Sequence, residues 1–222
     1  MDVVDAIRKR RAVRRYTDRP IPEGVLDRIL RMALAAPTGS GAQAWGLTVV
    51  REPELRRQIA ELVIAGGGRY FAIMRPRAEG ATDEEHVAWG REYAEQILGS
   101  YRQVPVWVLG TLVPRDNYPA SMREGGHLDD VISVAFAMEN LFLVARAEGI
   151  GSVPTTAFQR FEKDRLREIL GMPPEVDPVI LTPLGYPEAF PEGRPPALKR
   201  TFRRWQTLVH DERWGNTRAP TG

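Results

Sequence analysis

Cysteine is absent from the 222 residues of this chain, which excludes disulfides, thiolate metal sites and a cysteine nucleophile. Histidine is nearly absent too: His86, His127 and His210 stand far apart, without the spacing of metal ligands. No charge sign dominates, since 31 Lys and Arg face 29 Asp and Glu for a net +2. A nucleic-acid partner usually demands a strongly basic face, so none is expected. No apolar run reaches the ~20 residues of a membrane helix; the longest, near residues 131–145, is broken by Glu139-Asn140. Met1-Asp2-Val3-Val4-Asp5-Ala6-Ile7 has an early acid and no long apolar core, unlike a secretory signal, so a reducing cytoplasmic location is expected. Neither a Gly-x-Ser-x-Gly elbow nor a Gly-x-Gly-x-x-Gly fingerprint occurs.

What is present suffices for one domain or one protomer of an oligomer, with 43% apolar residues for a core. Residues 2–11 read as a short helix with early acids. Pro20-Ile21-Pro22-Glu23 opens a second, in which Val25, Leu26, Ile29, Leu30, Ala33 and Leu34 recur at helical spacing up to Pro37. Residues 45–51 form a compact strand, and Pro53 starts a helix through about Ile64. Residues 65–103 alternate glycine, proline and charge with Tyr70, Phe71, Trp89 and Tyr93, and predict a mobile insertion holding a helix over about 83–100. Strands follow at 104–111, 152–155 and 179–185, with a helix over about 161–170. The helix at 129–147 is apolar on nearly every side, which places it in a central core or a subunit interface. From Tyr186 the proline-rich tail has no core of its own and is expected to wrap over something else. Repeats and a second domain are lacking. Helices dominating a few strands predict an α+β sandwich around a small mixed or antiparallel sheet.

Two stretches carry chemistry. One is the basic run Arg8-Lys9-Arg10-Arg11-Ala12-Val13-Arg14-Arg15-Tyr16. Read plainly it is a solvated face; read functionally, Arg10 and Arg14 share one side of a helical turn and grip one anion together. The other is Ala36-Pro37-Thr38-Gly39-Ser40-Gly41-Ala42-Gln43-Ala44-Trp45. It is either an ordinary helix-to-strand connection or a turn whose small residues let backbone approach a flat ligand, with the Gln43 amide offered to a ring carbonyl and ring N–H.

The basic run, the Pro20-Ile21-Pro22 helix start and the Pro37–Gln43 turn together resemble the opening of the FMN-dependent nitroreductase family. The resemblance continues in order through Met138-Glu139-Asn140-Leu141, Gly149-Ile150-Gly151-Ser152, Leu184-Gly185-Tyr186-Pro187, a late basic cluster and Val209-His210-Asp211-Glu212-Arg213-Trp214. It covers nearly the whole chain. It implies that Arg10, Arg11 and Arg14 meet the FMN phosphate, ribityl and pyrimidine edge, with Ala12 where the family usually has Ser. Pro37, Thr38, Gly39 and Gln43 match its small-residue turn, and Gly41 replaces a frequent Asn. Pro154, Thr155 and Thr156 match the backbone beside flavin N5 and O4; Arg200 and Arg203, with Lys199 adjacent, match the residues that close over the phosphate. An obligate homodimer with an extended C-terminal tail (186–222) is implied, its sites built from both chains in a single domain over 1–222.

The implied activity takes hydride from NAD(P)H to the flavin and reduces a small electron-poor acceptor, a nitroaromatic or quinone, by ping-pong turnover. The cofactor supplies the chemistry, so no catalytic side chain and no metal are required. Tyr70, Phe71, Trp89 and Tyr93 are either a substrate lid or packing beneath a loop. The alternatives are a diverged family activity (reductive dehalogenation or flavin fragmentation), a non-catalytic flavin carrier or sensor, and a nucleic-acid binder using the arginine run.

Overall fold

A computed structural model describes residues 1–114, 123–192 and 205–217 of the chain. Seven α-helices and three strands are placed among them. In chain order they are α1 (Val3–Lys9), α2 (Glu23–Ala33), β1 (Trp45–Val50), α3 (Pro53–Met74), α4 (Asp83–Leu98), β2 (Val106–Leu112), α5 (Arg123–Ala147), α6 (Phe158–Phe161), α7 (Lys163–Leu170) and β3 (Asp177–Leu184). The chain divides into two compact units, Met1–Pro191 and Glu192–Gly222.

In the first unit the sheet is antiparallel with order β1-β2-β3; Trp45 lies opposite Leu112, and Val106 opposite Leu184. The central strand β2 is buried along its whole length, as its unbroken apolar run requires. Its alternate residues feed two cores. Trp107 and Leu109 join Ile59, Leu62 and Val63 of α3 on one face; Val106, Val108 and Leu112 join Leu26 and Ile29 of α2 and Met138 and Leu141 of α5 on the other. Gly110 seats α5, because a Cβ there would lie 2.9 Å from the Met138 sulfur. The expected α+β sandwich of helices around a small sheet is therefore the observed fold.

Four local expectations need correction. The helix opened by Pro53 does not stop at Ile64 but runs to Met74 through Gly66-Gly67-Gly68. Those glycines are kept helical by α4: a Cβ on Gly67 would lie 2.7 Å from Leu98 Cδ1, and one on Gly90 would lie 2.6 Å from the Gly68 carbonyl oxygen. Close helix packing thus outweighs the low helix propensity of glycine. α1 ends at Lys9, so from Arg10 onward the basic run is extended and the helical pairing of Arg10 with Arg14 does not hold. Residues 152–155 make only isolated bridges, Ser152 to Ala12 and Thr155 to Leu181, since the segment changes partner and Pro154 has no N–H to donate. Finally, α5 is not buried all round. Val134, Ala137, Met138, Leu141 and Ala145 enter the core while Leu128, Ile132 and Phe136 are exposed, Phe136 by 49%.

In the second unit the 3-10 turn Trp205–Leu208 precedes a tight loop. There the Gly215 N–H donates to His210 Nδ1 (3.2 Å), and the His210 and Trp214 rings lie 4.2 Å apart. Lys199, Arg200 and Arg203 lie outside the described residues.

Candidate functional site

The extended segment after α1 is fixed by its apolar residues. Val13 and Tyr16 are fully buried, and Val13 sits so close to Gly151 that a Cβ there would lie 2.8 Å from Val13 Cγ1. The Val13 N–H donates to the Ser152 carbonyl (3.1 Å), the Tyr16 hydroxyl to the Val13 carbonyl (2.9 Å), and Ser100 Oγ to the Arg14 carbonyl (2.9 Å). These bonds hold the basic run alongside residues 151–156 and leave Arg14 half-buried between them.

Arg14 lines a cavity of about 260 Å³ together with Pro154, Thr155, Thr156, Tyr70 and Phe71, so the structure brings these six expected site residues into one place. The guanidinium of Arg14 has no hydrogen bond or ion pair among the described residues. Tyr101 adds a phenol that burial pushes well above its ordinary pKa, so it stays neutral. Gly67, Val63 and Leu98 line the apolar wall, and Arg160 of α6 stands at the cavity as well. Arg160 and Tyr101 were not legible in the sequence: neither belongs to a motif, and the cavity forms only when α3, α4 and α6 converge.

The other expected residues lie elsewhere in the protomer. Arg11 Nη1 donates to the carbonyls of Arg8 and Arg10 (2.7 Å each), capping the end of α1, while its buried Nε lacks a partner. Arg10 Nε is 3.8 Å from Glu139 on α5, and Ala12 bridges to Ser152. Burial pushes the Glu139 carboxyl up and Arg10 draws it down again. Arg146 donates to the Lys9 carbonyl (3.1 Å) and lies 3.6 Å over the Phe190 ring; burial and then Arg11 push its pKa down.

The turn after Pro37 is placed against α5 and is not part of the cavity. The Gly39 N–H donates to Ser133 Oγ (3.2 Å) and the Gln43 N–H to Thr38 Oγ1 (3.3 Å). Ser40 and Gln43 hold positive φ, 53° and 49°, a strained backbone for residues with a Cβ. Gly41, with φ 65°, takes the same region freely.

Trp89 and Tyr93 sit behind the cavity wall in a ladder of rings. His86 stacks on Trp89 (5.7 Å), Trp89 on Tyr93 (5.3 Å), and Tyr93 meets Phe71 edge-on (5.0 Å). Among the described residues no cluster of His, Asp or Glu is placed to hold a metal, and no helix is long and apolar enough to cross a membrane.

The sequence pattern of the Nitroreductase family matches residues 7–186. A "NADH dehydrogenase" of Thermus thermophilus is 30% identical over 201 residues, 88% of this chain and 93% of that protein. "Iodotyrosine deiodinase 1" of Pongo abelii is 28% identical over 201 residues, and this chain spans 64% of its length. The crystal structure of oxidized iodotyrosine deiodinase bound to FMN and 3-iodo-L-tyrosine superposes with a TM-score of 0.65 at 22% identity, covering 93% of this chain and all of that one. Sheet order, flanking helices and a match running from the basic segment to the end of β3 agree with one another: the chain belongs to the Nitroreductase family.

Proposed function

We propose that the protein is an FMN-dependent NAD(P)H oxidoreductase that reduces a small electron-poor acceptor such as a nitroaromatic or quinone. The observation that carries this reading is the unpaired guanidinium of Arg14 in a cavity walled by the 154–156 backbone. The residues present fit FMN. Arg14 supplies a permanent cation for the pyrimidine edge, the neutral Tyr101 adds no competing charge, and the buried Nε of Arg11 is a donor awaiting an acceptor. Bound there, FMN would supply hydride transfer from NAD(P)H to the acceptor. The chain's own residues orient and hold it: backbone at Thr155 and Thr156 faces the ring, and Arg10 and Arg11 meet the ribityl and phosphate groups. Tyr70 and Phe71 form the wall against which an acceptor rests, with Trp89 and Tyr93 behind them. No protein acid or base is needed, and no step depends on a metal.

The active form in this reading is a homodimer functioning as one domain per chain, with residues 186–222 as a tail around the second protomer. The exposed stripe Leu128, Ile132 and Phe136 on α5 lies beside Val3, Val4 and Ile7 of α1, an apolar face of the kind covered in oligomers. The Pro37–Gln43 turn, held against α5 in a strained backbone outside the protomer's own cavity, is then offered to the partner's cavity. Phe136→Glu is expected to yield monomer by light scattering, with loss of flavin.

The direct test is the absorbance spectrum of the purified protein before and after anaerobic NADH or NADPH. A flavin band that bleaches supports the reading; a flavin that fails to bleach favours a carrier, and a colourless protein overturns the assignment. Reductive dehalogenation is the second reading, favoured by the likeness to iodotyrosine deiodinase, and halide release from a halogenated phenol tests it.

A further inference from the structure

Three consecutive side chains leave α6 in three directions. Phe158 is buried in the core. Gln159 Nε2 donates to the carbonyls of Pro178 and Val179, the second at 3.0 Å, and ties the turn to β3. With those two anchors set, Arg160 is left at the rim of the cavity, exposed and without a hydrogen bond or ion pair among the described residues. The nearest acid in sequence does not neutralise it, because Glu162 Oε1 is engaged by Arg69 at 3.3 Å. The cavity wall therefore carries two guanidiniums, Arg14 and Arg160, beside the rings of Tyr70, Phe71 and Tyr101, and no carboxylate.

We infer that Arg160 determines specificity at this site by selecting a planar ligand that bears a carboxylate or phosphate. The inference rests on the proposed flavin site: with Arg14 committed to the cofactor, Arg160 is the charge left for the molecule that docks over it. A guanidinium fork recognises carboxylate and phosphate alike, so the anion belongs either to the acceptor or to the nicotinamide nucleotide. Tyr70 and Phe71 supply the apolar contact for its ring. At the rim, the anion keeps partial hydration, which suits a ligand that must leave after each turnover.

The test compares holoenzyme carrying Arg160, Arg160→Gln and Arg160→Lys. Benzoate and its neutral analogue benzamide are titrated against the oxidised flavin spectrum, a readout independent of turnover. KM is then measured for 4-nitrobenzoate, 4-nitrobenzamide, NADH and NADPH. The Gln variant is expected to lose roughly tenfold in affinity for the anionic ligand, about one solvent-facing charge-assisted hydrogen bond. Benzamide is unaffected, kcat changes little, and Lys restores part of the loss. A loss confined to benzoate and 4-nitrobenzoate identifies the acceptor as the anion's source, while one confined to the nucleotides identifies the reductant. Equal shifts for charged and neutral ligands, or no shift in either, overturn the inference while leaving a flavin-loaded protein intact. A protein without flavin instead fails at the earlier reading.

Discussion

Arg11 and Arg14 are three positions apart in one basic run, and their surroundings differ in kind. Arg11 gives its Nη1 to two carbonyls of its own segment and stands close enough to Arg146 to lower that residue's pKa. Arg14, held between Tyr16 and Ser100, faces a cavity and meets no protein acceptor. The first completes a helix end; the second leaves a charge unpaired where a ligand fits. A run of like residues is thus not one site. Each arginine takes its role from what the extended backbone brings opposite it, and here two buried residues, Val13 and Tyr16, set that register.

The widest contrast is expected between the two arginines themselves. Arg14→Ala should lower FMN occupancy by roughly tenfold or more, a charge-assisted hydrogen bond or two, with an unchanged melting temperature. Arg11→Ala should lower the melting temperature and lose less flavin. Absorbance per protein and calorimetry read both, and equal behaviour of the two variants would break the comparison.

Next comes the peg that positions both. Gly151→Ala places a methyl 2.8 Å from Val13 Cγ1, an overlap expected to cost about 1–3 kcal/mol. Adding Val13→Ala should recover part of it in a denaturant melt, whereas additive losses would mean that the contact is not the cause. Tyr16→Phe removes the buried donor to the Val13 carbonyl and should cost about 1–3 kcal/mol by leaving that oxygen unsatisfied.

The smallest effect is electrostatic and lies away from the site. Arg102 holds Glu61 and Glu95 with paired hydrogen bonds of 2.6–2.9 Å, and these bonds keep both carboxyls below the ordinary value of 4.5. A depressed folded pKa contributes stability that is present above the ordinary value and is lost as pH falls through the depressed one. Arg102→Gln should flatten the acid limb of the stability profile below about pH 4.5 and leave neutral pH nearly unchanged, as befits a solvent-screened pair.

Much of the fold was legible because local signals agreed with tertiary demand. Val106-Trp107-Val108-Leu109 reads as a fully buried strand and is one. Thr82 and Glu85 cap α4 reciprocally at the point where the sequence places its start. The failures arose where a distant element decided. Gly66-Gly67-Gly68 reads as a break, yet α4 requires small residues there, and no window of sequence contains both helices. The site divides in the same way. Arg14 and residues 154–156 were reached through motif order, whereas Arg160 sits on a one-turn helix with no periodicity to mark it. The separation of the Pro37–Gln43 turn from the cavity depends on packing against Ser133, 94 residues away.

The glycine contacts between α3 and α4 also have a mechanical consequence. With the Gly68 oxygen lying where a Gly90 Cβ would be, neither helix has room to roll or slide past the other. The pair is a stiff plate, with Tyr70 and Phe71 on one blade and Trp89 and Tyr93 on the other, joined through the Phe71–Tyr93 contact. Any displacement that widens the mouth must swing both blades together, so cavity width and the exposure of Trp89 form a single degree of freedom, readable from the fluorescence of one indole.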